Sequence, residues 1–205
     1  SDIPFIIQST PSTYATSDAG NGVGYTSLRI RGSDATRINV TINGIPYNDS
    51  ESHGVFWVNM PDLASSSSSI QVQRGVGSST NGGGAFGGTV SIKTGNITED
   101  FRVNYSSSAG SFKTFKNSLE INSGLIKEKV NFNLRLSKIN SDGYIDRSSS
   151  DLKSYYASAS YYGEKTVIDL INFSGKEKTY QSWWGTPQSR IENDLDGMNA
   201  VIANN

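Results

Sequence analysis

The sequence predicts an α+β unit over residues 1–96, followed by antiparallel transmembrane β-barrel strands over residues 97–205. Three observations support this fold class. Near residue 96 the composition changes from short strands rich in glycine and serine to longer runs that alternate apolar and polar residues. The runs are about ten residues long, which suits a strand tilted across a bilayer. Short and long connections alternate between them, as in barrels with tight turns at one end and loops at the other.

The first part is predicted to contain short strands joined by turns. Residues 26–32 (TSLRIRG) and 37–47 (RINVTINGIPY) alternate like strands, and Asn43 and Gly44 form a strong hairpin signal. Residues 69–75 (SIQVQRG) form a further candidate strand, because isoleucine and valine fall on one face and two glutamines on the other.

A weak helix and a glycine-rich loop separate these strands from the second part. Pro61 and Asp62 favour a helix N-terminus, which the serines that follow weaken. Residues 75–95 hold eight glycines, a composition that invites a phosphate-binding interpretation. The dinucleotide pattern fails because Thr80 occupies the third glycine position, and the Walker pattern fails because Gly88 replaces its lysine. A nucleotide site is therefore not expected.

The second part contains five runs of alternating residues. The clearest is 130–137, where apolar residues alternate with asparagine, arginine and serine. A soluble β-sandwich gives the same alternation, so the period alone leaves both folds open. The connections favour the barrel, with the third and fifth strands running outward. The five runs cover residues 101–105, 115–121, 130–137, 152–162 and 166–175; the short connections are 124–129 and 163–165, and the long ones are 140–151 and the residues after 175.

Composition excludes several classes of function. The 18 Lys and Arg against 19 Asp and Glu leave a net charge of −1, so no nucleic-acid partner is expected. Cysteine is absent, which excludes disulfides and thiolate metal sites, and His53 is the only histidine. No resident metal or cofactor is expected, and no catalytic constellation suggests an enzyme. No apolar window is long enough for a membrane-spanning helix.

Residues 26–95 contain an ordered set of motifs: an Ile-Arg-Gly strand, an Asn-Gly-Ile-Pro hairpin, a Pro-Asp-Leu segment, Val-Gln-Arg-Gly, and a glycine loop ending in Gly-Gly-Thr-Val-Ser-Ile. In this order the motifs resemble the plug domain of TonB-dependent outer-membrane receptors. The likeness is strongest to receptors of Bacteroidetes-type bacteria. It implies a plug over residues 1–96 and barrel strands over residues 97–205.

The resemblance also implies a function, a location and partners. Receptors of this family lie in the bacterial outer membrane and import scarce substrates when TonB pulls on the plug. The favoured cargo is an iron chelate, such as a siderophore or haem; cobalamin, oligosaccharide and peptide stay open. Family barrels have twenty-two strands, whereas 205 residues provide about five. The TonB-binding segment is therefore expected before Ser1, and the rest of the barrel beyond Asn205.

The family motif assigns roles to two arginines. Arg31 and Arg74 match the positions that pair with barrel glutamates, and we expect them to form a plug–barrel latch. Charge pairs hidden from water are stable only while both partners stay in place. The alternative is that both arginines lie at solvated loop edges.

Substrate contacts are expected in two polar loops. Asp49, Glu51 and His53 are spaced by two, and an extended segment would present them on one side as a chelate contact. A solvated apical loop explains the same residues more simply. Aromatic candidates for substrate contact are Phe56, Trp57, Trp183 and Trp184, with the plug core or membrane anchoring as alternatives. A soluble secreted binding module is the competing function class.

Overall fold

The computed structural model describes residues 2–76, 85–95, 97–180 and 187–196. The described helices and strands, in chain order, are α1 (Ile3–Ile7), β1 (Thr13–Ser17), β2 (Thr26–Ile30), β3 (Ile38–Ile42), β4 (Ile45–Pro46), β5 (Ser67–Arg74), β6 (Gly88–Thr94), β7 (Arg102–Gly110), β8 (Thr114–Asn122), β9 (Val130–Ser141), β10 (Ser150–Tyr162), β11 (Val167–Thr179) and α2 (Gln188–Ile191). Short 3₁₀ turns cover Ala35–Arg37, Trp57–Asn59 and Leu63–Ser66. No helix in the described part of the chain is long and apolar enough to cross a membrane.

The N-terminal part is an α+β unit, as predicted. Strands β1 and β2 form an antiparallel pair, and a second sheet has the order β4-β3-β6-β5, in which β3 and β6 are parallel. The hairpin predicted at Asn43 and Gly44 is present: their φ angles are 52° and 82°, which suits the two-residue turn that joins β3 to β4. The apolar core combines residues of α1, β2 and the four-stranded sheet, and it includes Leu28, Val90 and Ile92.

The helix expected at Pro61 and Asp62 is only the 3₁₀ turn Leu63–Ser66. Asp62 precedes it with φ of 61°, a left-handed conformation that aspartate tolerates better than most residues. Its carboxylate accepts no hydrogen bond from the backbone of that turn. The side chain points to partners outside the N-terminal part, described below.

The second part is one antiparallel sheet in the order β11-β10-β9-β8-β7, called here the C-terminal sheet. All five predicted strands are present, and most extend further than the sequence pattern indicated. The last strand of the N-terminal part ends at Thr94 and the first of the sheet begins at Arg102, on either side of residue 96.

In β9 polar side chains are buried and apolar side chains are exposed, the reverse of a strand in a soluble sheet. The polar residues Asn131, Asn133 and Arg135 face the interior, where Arg135 is 2% exposed, while Phe132 and Leu134 point outward. A sandwich would bury its apolar face between two sheets. Apolar side chains that point outward from a polar interior are the pattern of a transmembrane barrel strand. The structure therefore favours the barrel over the sandwich.

Tyrosines occupy both faces of β10. Tyr155 and Tyr161 point outward, six residues or about 20 Å apart, which approaches the height of a barrel's apolar band. Tyr156 is fully buried on the inner face, and its hydroxyl donates a hydrogen bond to Thr94 Oγ1 at 2.9 Å. Tyr156 therefore contacts the N-terminal part rather than the membrane interface.

Candidate functional site

The candidate site is the contact between the inner face of the C-terminal sheet and the N-terminal part. Register explains how the sheet contributes to it. Alternate residues of β8, β9 and β10 point inward, and Arg135 lies opposite Glu120 on one side and Tyr156 on the other. The inner face is therefore largely polar, and Lys116, Glu120 and Arg135 give it charged side chains.

Asp62 lies at the centre of this contact. Its Oδ2 accepts hydrogen bonds from Arg135 Nη1 at 3.1 Å and from Ser137 Oγ at 2.7 Å. Its Oδ1 accepts one from Ser65 Oγ at 2.5 Å and another from Lys116 Nζ. The side chains of Asp62 and Arg135 are 1% and 2% exposed, so this ion pair is removed from water.

Electrostatics keep the Asp62 carboxylate ionised. Burial by itself raises its pKa, but the hydrogen bonds from Lys116, Ser65 and Ser137 and the charge of Lys116 outweigh burial and hold the pKa below the ordinary value. The charge that folding removes from water is therefore compensated by two cations on the sheet.

Arg135 also contacts the chain next to Asp62. Its Nε donates to Ser66 Oγ at 2.5 Å, and Ser154 Oγ of β10 donates to the carbonyl oxygen of Pro61 at 2.6 Å. Residues 61–66 are thus bound by side chains from three adjacent strands. A buried pair of this kind adds little net stability, but breaking it by removing one partner is costly.

Contacts continue along the interface on both sides of Asp62. Asn21 Nδ2 donates to Ser141 Oγ at 2.7 Å, and Val23 packs with Ile139 and Leu152. At Gly175 of β11 the two parts approach closely, since a Cβ there would lie 2.6 Å from Asn59 O and 2.6 Å from Pro61 Cδ. Only glycine fits this position without displacing backbone.

The two arginines of the predicted latch lie away from this contact. Arg31 adopts φ of 53° and places its guanidinium beside Gly75, and Arg74 Nη1 donates to the carbonyl oxygen of Pro11 at 3.3 Å. Both side chains are exposed, and neither forms an ion pair with a described residue. Their pairing with barrel glutamates stays a prediction.

Residues 49–54 form a tight turn, so the extended segment assumed for Asp49, Glu51 and His53 is wrong. The Asp49 carboxylate accepts hydrogen bonds from the backbone N–H of Ser52 at 2.7 Å and of Glu51 at 3.1 Å. These hydrogen bonds lower its pKa. The carboxylate thus stabilises its own turn, and the described residues hold no group of three or more metal-ligating side chains.

The aromatic candidates for substrate contact differ in their exposure. Trp57 is 4% exposed and belongs to the apolar core, whereas Phe56 is 51% exposed and remains available to a ligand. Trp183 and Trp184 lie outside the described residues.

Residues 1–89 match the sequence model of the TonB-dependent receptor plug domain. The chain carries the plug of a TonB-dependent receptor. The N-terminal part is accordingly called the plug and the C-terminal sheet the barrel sheet. Receptors of this family are outer-membrane proteins, which places the chain in the outer membrane. No curated protein matches the chain by sequence.

Solved structures support the same fold. FpvA of P. aeruginosa bound to a pyoverdine–iron complex superposes with a TM-score of 0.71 at 16% identity, over 86% of this chain and 23% of its own. The ferric citrate transporter FecA gives 0.70 at 18% identity, over 94% and 31%. The copper transporter OprC gives 0.73 at 18% identity, over 88% and 29%. The chain thus spans less than a third of each of these proteins.

Sequence reasoning missed the Asp62 contact. The sequence pattern assigns Asp62 only to a helix N-terminus and Arg135 only to the polar face of an alternating strand. One signal was available: Arg135 falls on the polar face of the alternation, which in a barrel points to the interior, where a charge hidden from water needs a partner.

Proposed function

We propose that the chain belongs to a receptor that carries out TonB-dependent active transport of a scarce substrate across the outer membrane. The observation that supports this most directly is the polar, charge-paired interface between the plug and the barrel sheet. A permanent contact needs only apolar packing. Charged contacts between the plug and the barrel sheet suit a plug that must detach from the barrel and bind it again.

In this proposal TonB binds a segment N-terminal to residue 1 and pulls on the plug. The contact of residues 61–66 with the barrel sheet resists this force. Arg31 and Arg74 pair with glutamates of the rest of the barrel as the latch expected from the family motif. The protein supplies no covalent chemistry, and the family consists of transporters rather than enzymes.

The proposed cargo is an iron chelate. Two of the three structures reported above are described as iron-chelate proteins, FpvA with a pyoverdine–iron complex and FecA as a ferric citrate transporter. OprC is described as a copper transporter, so the fold is compatible with other cargo. Cobalamin, oligosaccharide and peptide are the alternatives. Phe56 is the exposed plug residue we propose for substrate contact.

Membrane fractionation and uptake assays test the proposal. We expect the whole receptor in the outer membrane, heat-modifiable mobility on gels, and uptake of a ferric siderophore that stops when the proton gradient is dissipated. Arg31→Ala and Arg74→Ala should alter uptake, while Arg29→Ala, an exposed arginine of β2, should not. A soluble product without a mobility shift would overturn the proposal, and energised uptake of copper or cobalamin alone would overturn only the iron assignment.

A further inference from the structure

Four charged side chains lie close together where residues 61–66 contact the barrel sheet. Lys116 and Glu120 are on β8, Arg135 is on β9, and all three face inward, while Asp62 belongs to the plug. The Asp62 carboxylate forms ion pairs with both cations. Detachment of the plug would remove this carboxylate and leave both cations on the barrel sheet.

The two cations differ in their access to water. The side chain of Lys116 is 22% exposed, so its strongly hydrated ammonium can turn to solvent when Asp62 leaves. The side chain of Arg135 is 2% exposed, and its Nε and Nη1 donate to Ser66 and Asp62 of the plug. A charge in such a site is costly once its partner is withdrawn. Arg135 is therefore the cation for which a replacement partner matters most.

Glu120 lies within reach of Arg135. The two residues are directly opposite each other in the register of β8 and β9, and the Cβ atoms of such a pair lie about 4.5–5.5 Å apart. Lys116 is four residues from Glu120 on the same strand, a distance of about 13 Å. The position of Glu120 therefore suits an ion pair with Arg135 rather than with Lys116.

The Glu120 carboxylate is half-buried and bonded to another group in this structure. Its Oε1 accepts a hydrogen bond from Asn133 Nδ2 at 3.2 Å. Glu120 and Arg135 are both described residues, and no ion pair joins them; the guanidinium donates to the plug instead. Rotation of the two side chains, without movement of the backbone, would bring the guanidinium to Glu120.

We propose that Glu120 is the exchange partner of Arg135: the guanidinium pairs with Asp62 while the plug is attached and with Glu120 while the plug is detached. The exchange lowers the free energy of the detached state, because the guanidinium keeps a carboxylate partner on the barrel sheet. It reverses when Asp62 binds Ser137 and Lys116 again. Glu120 is thus a positioning residue for plug movement. The exchange rests on the proposed function, in which transport detaches residues 61–66 from the barrel sheet.

Plug proteolysis in the whole receptor in lipid vesicles tests the exchange, because its rate follows the detached population when reattachment outpaces cleavage. Glu120→Gln removes the charge but keeps an oxygen that can accept from Asn133. We expect this variant to slow plug proteolysis about threefold, since the detached state loses its Arg135 pair while the attached state keeps Asp62. In an Asp62→Asn background Arg135 relies on Glu120 in both states, so Glu120→Gln should not slow proteolysis.

Glu177→Gln is the matched control. Glu177 is a half-buried carboxylate on the same inner face, but it accepts a hydrogen bond from Tyr25 and lies opposite Leu152 rather than Arg135. This variant should not slow proteolysis in either background. Faster proteolysis of the Glu120→Gln receptor, or equal slowing with and without Asp62→Asn, would overturn the exchange.

Heat-modifiable mobility checks that each variant folds. Should Glu120→Gln fail this check, Glu120→Asp replaces it, because its shorter side chain reaches Arg135 less well; about twofold slowing is then expected. Uptake is measured in parallel on the unaltered receptor. Loss of energised uptake there would overturn the proposed function and leave the proteolysis comparison as it stands.

Discussion

Strand β3 of the plug turns isoleucine and valine into the apolar core, whereas strand β9 of the barrel sheet turns asparagine and arginine inward. All five residues of β3 are buried, and its isoleucines and valine pack in the apolar core. β9 buries Asn131, Asn133 and Arg135 and exposes Phe132, Leu134 and Leu136. The difference shows that the plug folds around its own apolar core, whereas the barrel sheet leaves its apolar face for lipid.

Among the polar contacts between the plug and the barrel sheet, we expect those of Asp62 to contribute most to stability. Asp62→Asn would leave Arg135 and Lys116 buried or half-buried without their anion, and we expect it to cost about 3–5 kcal/mol in the free energy of unfolding. Urea unfolding of the whole receptor in lipid vesicles measures the loss. Asp34→Asn, at an exposed 3₁₀ cap, is the matched control.

Acid should reproduce the effect of Asp62→Asn. Because the pKa of Asp62 is lowered on folding, its stabilising contribution is complete above the ordinary carboxyl pKa of about 3.9 and is lost as the pH falls through the lower, folded value. The unaltered protein should thus lose plug protection from acid-active proteases only below about pH 4, while the variant lacks this step. A step of equal size in both proteins would contradict the assignment to Asp62.

Truncation of apolar side chains should separate the two regions. Ile92→Ala removes a fully buried plug side chain, and we expect a loss of about 2–5 kcal/mol. Leu136→Ala, at a side chain 47% exposed on the outer face, should cost much less because lipid fills the space. Equal losses in the same urea titration would mean that the outer face of β9 is packed against protein instead.

A charge on the outer face should distinguish lipid from water. Leu134→Arg lies within the apolar band, and we expect a cost of about 2–4 kcal/mol in a bilayer. Asn140→Arg, near the end of β9 on the same face, should be nearly neutral. Folding yield in vesicles, read from heat-modifiable mobility, measures both. An undisturbed Leu134→Arg variant would show that water reaches this face.

A close approach of the two regions at Gly175 offers a smaller test. Gly175→Ala would place a methyl group 2.6 Å from Asn59 O, and we expect overpacking to cost about 1–3 kcal/mol. Faster proteolysis of the plug, with an intact barrel, is the expected readout. Gly110→Ala, where a Cβ meets its nearest neighbour at 3.8 Å, should have little effect.

Much of the fold could be predicted because its signals are local. Asn43 and Gly44 specify their hairpin through backbone preferences, and alternation specifies the five strands of the barrel sheet. The tight turn at Asp49 was missed because its side chain bonds to nearby backbone N–H groups, which overrides the extended spacing. Trp57 could be assigned to the core only once its neighbours were known.

The sequence by itself determined the five strands of the barrel sheet, the hairpin at Asn43 and Gly44, and which residues of a strand share a face, because the side-chain period of a strand is a local property. Only the tertiary structure decided which face of β9 is covered, since alternation is the same in a sandwich and in a barrel. It also decided that Asp62 pairs with Arg135, 73 residues away. Such pairs form only when two separately folded parts meet, and no local preference of either residue specifies the partner.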